Sequence, residues 1–425
     1  MKTIIQLALD YTELERALKV AKEAEKSVDW IEAGTPLIKS EGLDAVRRLR
    51  EMFPKKVIVA DMKTMDAGRV EVESAAKAGA DVVDVCGQAS EATIRECVEV
   101  ARNYGTKITV DLIGVEDVVL RAKLAEGLGA DYVAVHTAID EQMESKTPFN
   151  KVRKVVKAVK IPVLVAGGLN SESVVDAINA GAQVVIIGGA ITKAENVRKA
   201  ASDIRKAVDS GRRVKTDLYR RGTDVGKILS KVSTANVSDA MHRSGDLPGI
   251  VPIVGIKAAG KAVTVRTYPG DWAKPVQAID VAAKGDIIVI TSGGVGPAVW
   301  GELATESALK KGVAAVVVDG AVRDTDEIKM MKLPVYSKLT MPTAGEPKGF
   351  GEINVPIKIG GVGVKPGDWV LCDGDGVVVI PSEKAVEIGN RAQDVLEKEN
   401  RIRKEIREGS SLGKVGQLLR WEKKI

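Results

Sequence analysis

Histidine is almost missing from this chain. Its 425 residues include two, His136 and His242. Proton transfer must therefore use one of these or fall to Asp, Glu and Lys. Cysteine is scarce as well. Cys86, Cys97 and Cys372 form neither a metal-ligand spacing nor a disulfide framework, which argues against a zinc module or a bridged scaffold and fits a reducing, cytoplasmic setting. No stretch approaches about 18 apolar residues, so no membrane span is expected. The first residues lead straight into Ile4-Ile5-Gln6-Leu7-Ala8-Leu9-Asp10, without the pattern of a secretory leader. Charge of one sign is not in large excess either. The 63 basic and 58 acidic residues give a net +5, too small and dispersed to point to nucleic acid.

What the chain does have is alternation. From residue 1 to about 210, short Val- and Ile-rich runs recur at 4–10, 29–34, 56–62, 81–86, 107–113, 132–137, 162–166 and 184–188. Helical spacing such as Leu14, Leu18, Ala21 lies between them. Ala-Gly-Ala-Asp, Leu-Gly-Ala-Asp and Ala-Gly-Ala-Gln punctuate the helix ends. Eight β-α units predict a closed parallel (β/α)8 TIM barrel rather than an open sheet. In that architecture the active site gathers at the strand C-termini. Asp10, Glu32, Asp61, Lys63, Asp84, Asp111 and His136 fall there. The runs at 162–166 and 184–188 end instead in Gly167-Gly168 and Gly188-Gly189, where bare backbone can approach a phosphate. These features together predict a phosphosugar site. Asp61 and Lys63 lie two apart, so on an extended chain they share a face. Glu32 and Asp61 are hard oxygen donors suited to Mg²⁺, with Mn²⁺ as the alternative. His136 is the candidate general acid or base.

Asp61-Met62-Lys63-Thr64-Met65-Asp66, with Glu32-Ala-Gly-Thr-Pro before it and Val135-His136-Thr137 after it, resembles the 3-hexulose-6-phosphate synthases of the orotidine-5′-phosphate decarboxylase superfamily. The resemblance covers residues 1–210. It implies an aldol reaction between formaldehyde and D-ribulose 5-phosphate, giving D-arabino-hex-3-ulose 6-phosphate, or its reverse. It also implies that Glu32 and Asp61 hold Mg²⁺, that Lys63 stabilises an enediolate, and that His136 moves the C1 proton. Asp10 is a further catalytic candidate and Asp111 a substrate-binding one. By the same resemblance Asp66 reaches into a partner's site, which implies a dimer. The related 3-keto-L-gulonate-6-phosphate decarboxylases share this frame but typically carry an Arg after strand 8. Here that loop reads Gly188-Gly189-Ala190-Ile191-Thr192.

Residues 211–226 are polar, basic and without apolar periodicity, and read as a solvated linker. Residues 227–425 read as a second α/β domain with a mixed sheet. Its strands are expected at 261–267, 286–290, 313–318, 334–336, 369–372 and 376–380, with a helix at 301–311. The turn Gly293-Gly294-Val295-Gly296 offers backbone N–H groups to a carboxylate. Glu302 is followed, after twenty residues, by Arg323-Asp324. This half resembles the family of 4-hydroxy-4-methyl-2-oxoglutarate aldolases and regulators of ribonuclease E activity A, whose aldolases show Asp where Glu302 stands. The resemblance implies that Asp324 holds Mg²⁺, that Arg323 stabilises a pyruvate enolate, and that Gly293, Gly294 and Gly296 bind the keto acid. It also leaves a non-catalytic regulatory or assembly role open, with trimer-based assembly. The tail from 383 to 408 reads as an amphipathic helix packing on its own domain or on a neighbouring subunit.

Overall fold

The computed structural model describes residues 3–216, 218 and 221–415. The fold is α/β throughout. The chain divides into two compact units: Met1–Arg220 together with Glu397–Ile425, and Arg221–Leu396.

The first unit is a closed barrel of eight parallel strands in chain order. These are β1 (Ile4–Leu9), β2 (Trp30–Ala33), β3 (Val57–Thr64), β4 (Val82–Cys86), β5 (Lys107–Asp111), β6 (Tyr132–His136), β7 (Val163–Ala166) and β8 (Val184–Ile187). Each matches an expected run. Strand alternation assigns the two faces. Ile5, Leu7, Ile31, Ile58, Val83, Ile108 and Val133 point outward into the layer shared with the helices, which also takes Leu18, Leu49 and Ile94. The alternate positions point inward. Trp30, Val59, Val82, Ala134, Leu164 and Val184 form a separate apolar cluster in the barrel floor. Two residues further along the same strands stand Glu32, Asp61, Asp84 and His136. One period-two register thus gives an apolar plug below and a polar mouth above.

The second unit is built on a mixed sheet. Its strands are β9 (Val251–Val254), β10 (Ala258–Arg266), β11 (Ile287–Thr291), β12 (Ala298–Trp300), β13 (Ala315–Val322), β14 (Val335–Thr340), β15 (Glu352–Ile353), β16 (Ile357–Ile359), β17 (Val362–Val364), β18 (Trp369–Asp373) and β19 (Gly376–Ile380). The sheet runs β19-β18-β10-β11-β13-β14-β9, with β12 on β13 and β15 on β10, while β16 and β17 pair with each other in a separate two-stranded sheet. β10, β11, β13 and β14 are parallel, whereas β18, β19 and β9 join antiparallel. Apolar clusters cover both sheet faces, one around Ile288, Ile290, Val316 and Val318, the other around Ile287, Val289, Val317 and Tyr336. The expected helix appears as Glu302–Lys311. β9, β12 and the short strands 352–364 were not expected.

Two readings are corrected in detail. The stretch 211–226 is not simply a solvated connector. Val214 exchanges bonds with Ser171, its N–H donating to the Ser171 carbonyl and its carbonyl accepting from the Ser171 hydroxyl. The Thr216 N–H donates to Glu172, and Arg213 pairs with Asp176. Residues 217, 219 and 220 of that stretch lie outside the described residues. The tail is a helix, Ala385–Arg407, but from Glu397 onward it groups with the barrel rather than with 227–396. The basic residues after 415 lie outside the described residues. Among the described residues no helix is long and apolar enough to cross a membrane.

Phe53 is 1 % exposed in the barrel's helix-facing layer. Phe53→Ala is expected to cost the barrel about 3–5 kcal/mol through lost transfer energy and a cavity, measured as a lower denaturant midpoint with an unchanged slope.

Candidate active site at the barrel mouth

β3 and β4 pair in register up to Ala60–Val83, and pairing then shifts so that Thr64 meets Val85. Within that irregularity Lys63 takes a left-handed conformation, φ 51°. Such a backbone is uncommon for a long side chain and persists where the surroundings impose it. Here it turns the ammonium into the mouth. Lys63 Nζ lies 2.6 Å from Asp61 Oδ1 and 3.0 Å from Asp111 Oδ2. Burial disfavours the Lys63 charge, but Asp111, Asp61 and Asp84 outweigh it and raise the ammonium's pKa. Lys63 is therefore a fixed cation.

Asp111 is 3 % exposed and holds three donors. They are Lys63, the Ile113 N–H at 3.0 Å, and His136 Nδ1 at 2.9 Å from Oδ2. Burial pushes its pKa up, but the bond from His136 and the charges of His136 and Lys63 win and bring it down to about 2. An ionised carboxylate only accepts, so Nδ1 carries the proton and Nε2 of a neutral His136 keeps its lone pair. Asp111 thus fixes the imidazole's tautomer.

The other carboxylates are less well balanced. Asp61 Oδ2 accepts from the Thr35 hydroxyl at 2.6 Å and the Thr35 N–H at 3.3 Å. Glu32 accepts from Gln6 Nε2 at 2.7 Å. Burial, then the charges of Asp61, Asp84 and Asp10, raises the Glu32 pKa well above the usual range. Asp84 is raised likewise, by burial and then by Asp61, and its Oδ1 is buried without a partner. Asp10 lies at the rim, with surface open to water but walled by protein. Enclosure first, and Asp61 second, raises its pKa. A Cβ on Gly34 would stand 2.3 Å from Asp10 Oδ1, and one on Gly188 would stand 3.4 Å from Oδ2. The two glycines thus make the slot for this side chain.

This crowding of buried carboxyl groups, which resist ionisation without a further positive charge, and the orphaned Asp84 oxygen fit a divalent cation. Among the described residues no three Asp, Glu, His or Cys side chains form a metal-holding group. Two carboxylates with water and substrate oxygens are an ordinary donor set for Mg²⁺.

Gly167 (φ 115°) and Gly168 (φ 66°) follow β7. A Cβ on Gly167 would strike Thr137 at 2.8 Å, so the glycine brings this loop against the residue after His136. Gly189 begins the short helix Gly189–Thr192, and Lys193 lies over it. Asp66 is not brought in. It is exposed, and it makes no hydrogen bond or ion pair among the described residues.

In the second unit, pairing of β12 with the end of β13 brings Gly301-Glu302 beside Arg323-Asp324. The Glu302 N–H donates to Asp324 Oδ2 at 3.2 Å, and Arg323 Nε lies 3.4 Å from the same oxygen. Arg323 therefore pairs with Asp324 and not with Glu302. Gly293 and Gly294 have φ 79° and 73°. A Cβ on Gly294 would lie 2.5 Å from Lys338 Nζ and 3.1 Å from Asp319 Oδ1, and one on Gly296 would strike Met341. Asp319 accepts from the Thr291 hydroxyl at 2.9 Å and faces Lys338 at 3.7 Å.

Sequence reasoning counted Asp84 among the strand-end acids without a role. It did not single out Gln6, Thr35, Lys193, Asp319 or Lys338. Gln6 was legible, being the inward position of β1 that precedes Asp10 by four residues.

The barrel sequence matches the orotidine 5′-phosphate decarboxylase / HUMPS family model over residues 3–204. A 3-hexulose-6-phosphate synthase of Bacillus subtilis (strain 168) is 39% identical over 208 residues, which cover 49% of this chain and 99% of that protein. The chain belongs to that family. One from Mycobacterium gastri is 40% identical over 204 residues, 48% of this chain and 99% of the other. The crystal structure of 3-hexulose-6-phosphate synthase from Salmonella typhimurium is 37% identical, covering 50% of this chain and 100% of that one, with a TM-score of 0.48. Residues 234–379 match the RraA-like family model, described as Aldolase/RraA. The barrel is an aldehyde-lyase domain of the first family, carried on one chain with an RraA-like second domain.

The sign of the Asp111 effect is fixed. Its pKa is depressed, so it stabilises the fold above about pH 4 and loses that stabilisation as pH falls toward about 2, a contribution of roughly 2–3 kcal/mol. The stability difference between wild type and Asp111→Asn, read from denaturant curves of the barrel transition, is expected to shrink by about 2 kcal/mol between pH 6 and pH 2.5.

Proposed function

We propose that the barrel joins formaldehyde to D-ribulose 5-phosphate, giving D-arabino-hex-3-ulose 6-phosphate, and runs the reverse cleavage at the same residues. The observation that carries this reading is the Lys63 ammonium bridging Asp61 and Asp111, with Asp111 also fixing His136. The reaction begins with removal of a proton from C1 of the ketose, which makes an enediolate. His136 Nε2 takes that proton, and Asp111 stabilises the imidazolium that results. Lys63 faces the developing negative charge and needs no reorganisation to do so. Carbon C1 of the enediolate then attacks formaldehyde, and the new alkoxide takes a proton. Asp10, with its raised pKa, is suited to deliver one. Glu32 and Asp61 would hold Mg²⁺ or Mn²⁺, which when bound supplies Lewis acidity toward the sugar's oxygens. Gly167, Gly168, Gly188 and Gly189 would receive the phosphate. Asp66, exposed and unpaired, would complete the mouth of a second copy, making the barrel dimeric. A cytoplasmic setting is consistent with three free thiols.

The test is formaldehyde consumption with ribulose 5-phosphate and Mg²⁺. Wild type is expected to be active. Asp61→Ala is expected to lose at least about 100-fold, and Mg²⁺ is expected to raise the thermal midpoint of wild type but not of the variant. Inactivity of a folded, metal-loaded wild type would overturn the reading. Release of CO₂ from 3-keto-L-gulonate 6-phosphate would replace it with the decarboxylase.

For the second unit we propose a keto-acid lyase site, because Asp324 gathers Arg323 and the Glu302 N–H at one carboxylate. Arg323 would bind the keto acid's carboxylate, the Gly293–Gly296 turn its oxygens, and Asp324 a divalent ion. A non-catalytic assembly role, trimer-based, is the competing reading. Arg323→Ala in the full chain is expected to abolish Mg²⁺-dependent pyruvate release from 4-hydroxy-2-keto acids while leaving formaldehyde consumption unchanged. No pyruvate release by wild type would favour the assembly role.

A further inference from the structure

The loop after β8 carries Gly188 and Gly189, then the helix Gly189–Thr192, then Lys193 to Asn196. Short, glycine-started segments of this kind lack stiffness of their own. Three carbonyls just downstream of the glycines are captured by side chains from elsewhere. The Tyr11 hydroxyl donates to the Thr192 carbonyl at 2.8 Å. Arg401 Nη1 donates to the carbonyls of Ala194 at 3.3 Å and Glu195 at 3.4 Å. Lys404 Nζ also reaches the Glu195 carbonyl.

Arg401 is only 3 % exposed. A guanidinium at that depth is costly unless its donors are used. Nη1 and Nε are used: besides the two carbonyls, Nε bonds Glu405 Oε1 at 2.9 Å, and the same oxygen accepts from Arg16 Nη2 at 3.0 Å. Arg16 in turn lies over the Tyr11 ring, 5.5 Å from its centroid. Burial pushes the Tyr11 hydroxyl up to about 12, so it remains a neutral donor. The chain of contacts Tyr11–Arg16–Glu405–Arg401 starts one residue after Asp10 and closes on the β8 loop. A cavity of about 370 Å³ lies beside it, bounded by Asn170, Lys193, Asn196 and Asn400, which leaves one side of the loop unpacked. Ile191 packs into the barrel's helix-facing core on one side of the loop, and these polar ties hold the backbone on the side that borders the cavity.

We infer that Arg401 is a positioning residue for the barrel: it holds the loop after β8 so that the Gly188–Gly189 backbone is set to grip the substrate's phosphate. This rests on the proposed phosphosugar reading. It assigns the helix Ala385–Arg407 a part in substrate binding, although the family match ends at residue 204.

The experiment uses the full chain with Arg401→Gln, Arg401→Lys and the milder Lys404→Ala. Three quantities are read: KM for ribulose 5-phosphate against kcat and against KM for formaldehyde, the affinity for inorganic phosphate by calorimetry, and amide exchange over residues 188–196. Arg401→Gln is expected to raise the ribulose 5-phosphate KM and weaken phosphate binding together, by about tenfold. The formaldehyde KM should stay within about twofold, and exchange over 190–195 should quicken. Arg401→Lys should recover part of the loss. Lys404→Ala should shift the same quantities by about two- to threefold. A lowered melting temperature with unchanged phosphate affinity and KM would overturn the inference, leaving a purely structural tie. So would a wild type that binds no inorganic phosphate. A wild type that binds phosphate but turns over no ribulose 5-phosphate would instead sink the proposed reaction, and the phosphate and exchange readings would still decide this inference.

Discussion

One ammonium among buried carboxylates sets the electrostatics of the barrel mouth. Among the described residues Lys63 is the lysine that bonds both Asp61 and Asp111, and its charge also opposes that of Asp84, so that without it repulsion among these acids in a poorly solvated mouth would be far less offset. Its pairing divides the acids into two classes. Asp111, paired with both Lys63 and His136, is ionised far below neutrality. Glu32 and Asp84, beyond its direct reach, resist ionisation. Environments that drive like groups apart are what acid–base chemistry needs. The same division leaves one side of the mouth short of positive charge, the side on which a divalent ion would sit.

The barrel supplies the scaffold at little local cost. On β2, β3, β4 and β6 the inward register runs from apolar to polar, so of these strands only β3 departs from regular pairing where it brings a polar side chain to the mouth. There the pairing shifts between Ala60 and Thr64, and Lys63 takes an uncommon left-handed backbone at the mouth. The second unit holds its candidate groups differently. Arg323 and Asp324 stand partly exposed just past the buried end of β13, and Asp324 is itself left-handed at φ 56°. Fewer groups over-determine them, and their chemistry is correspondingly less defined by the fold.

Much of the barrel was legible because periodicity and composition agree. Eight Val/Ile runs, glycine stops and acids at fixed offsets all point one way. The pair Asp61–Lys63 was placed on one face by assuming an extended chain. The side chains do meet, but through an irregular backbone that no period-two pattern encodes. Gln6 could be placed on the inward face of β1, but that it bonds Glu32, and that Thr35 bonds Asp61, was not legible, because tertiary pairing and not spacing brings these partners together. β12 was missed because three residues carry too little pattern. Yet its pairing on β13 is what brings Glu302 to Asp324. The ties of residues 213–216 and 397–405 to the barrel were illegible for a related reason. Polar, charged segments look solvated in sequence, and only the fold reveals which donors are consumed.

The return of the chain to the barrel from Glu397 onward makes that domain discontinuous in the chain. Residues 1–210 leave the ribosome well before Arg401 is made, by about 10–40 s at ordinary elongation rates. In that interval the β8 loop has Tyr11 but no guanidinium to close it. The second unit is thus an insertion in the barrel's folding history and not a passenger at its end. A barrel excised at residue 210 would be a different object from the one in the intact chain. Any exchange of second domains between chains of this kind would have to keep the helix that follows as well as the join that precedes.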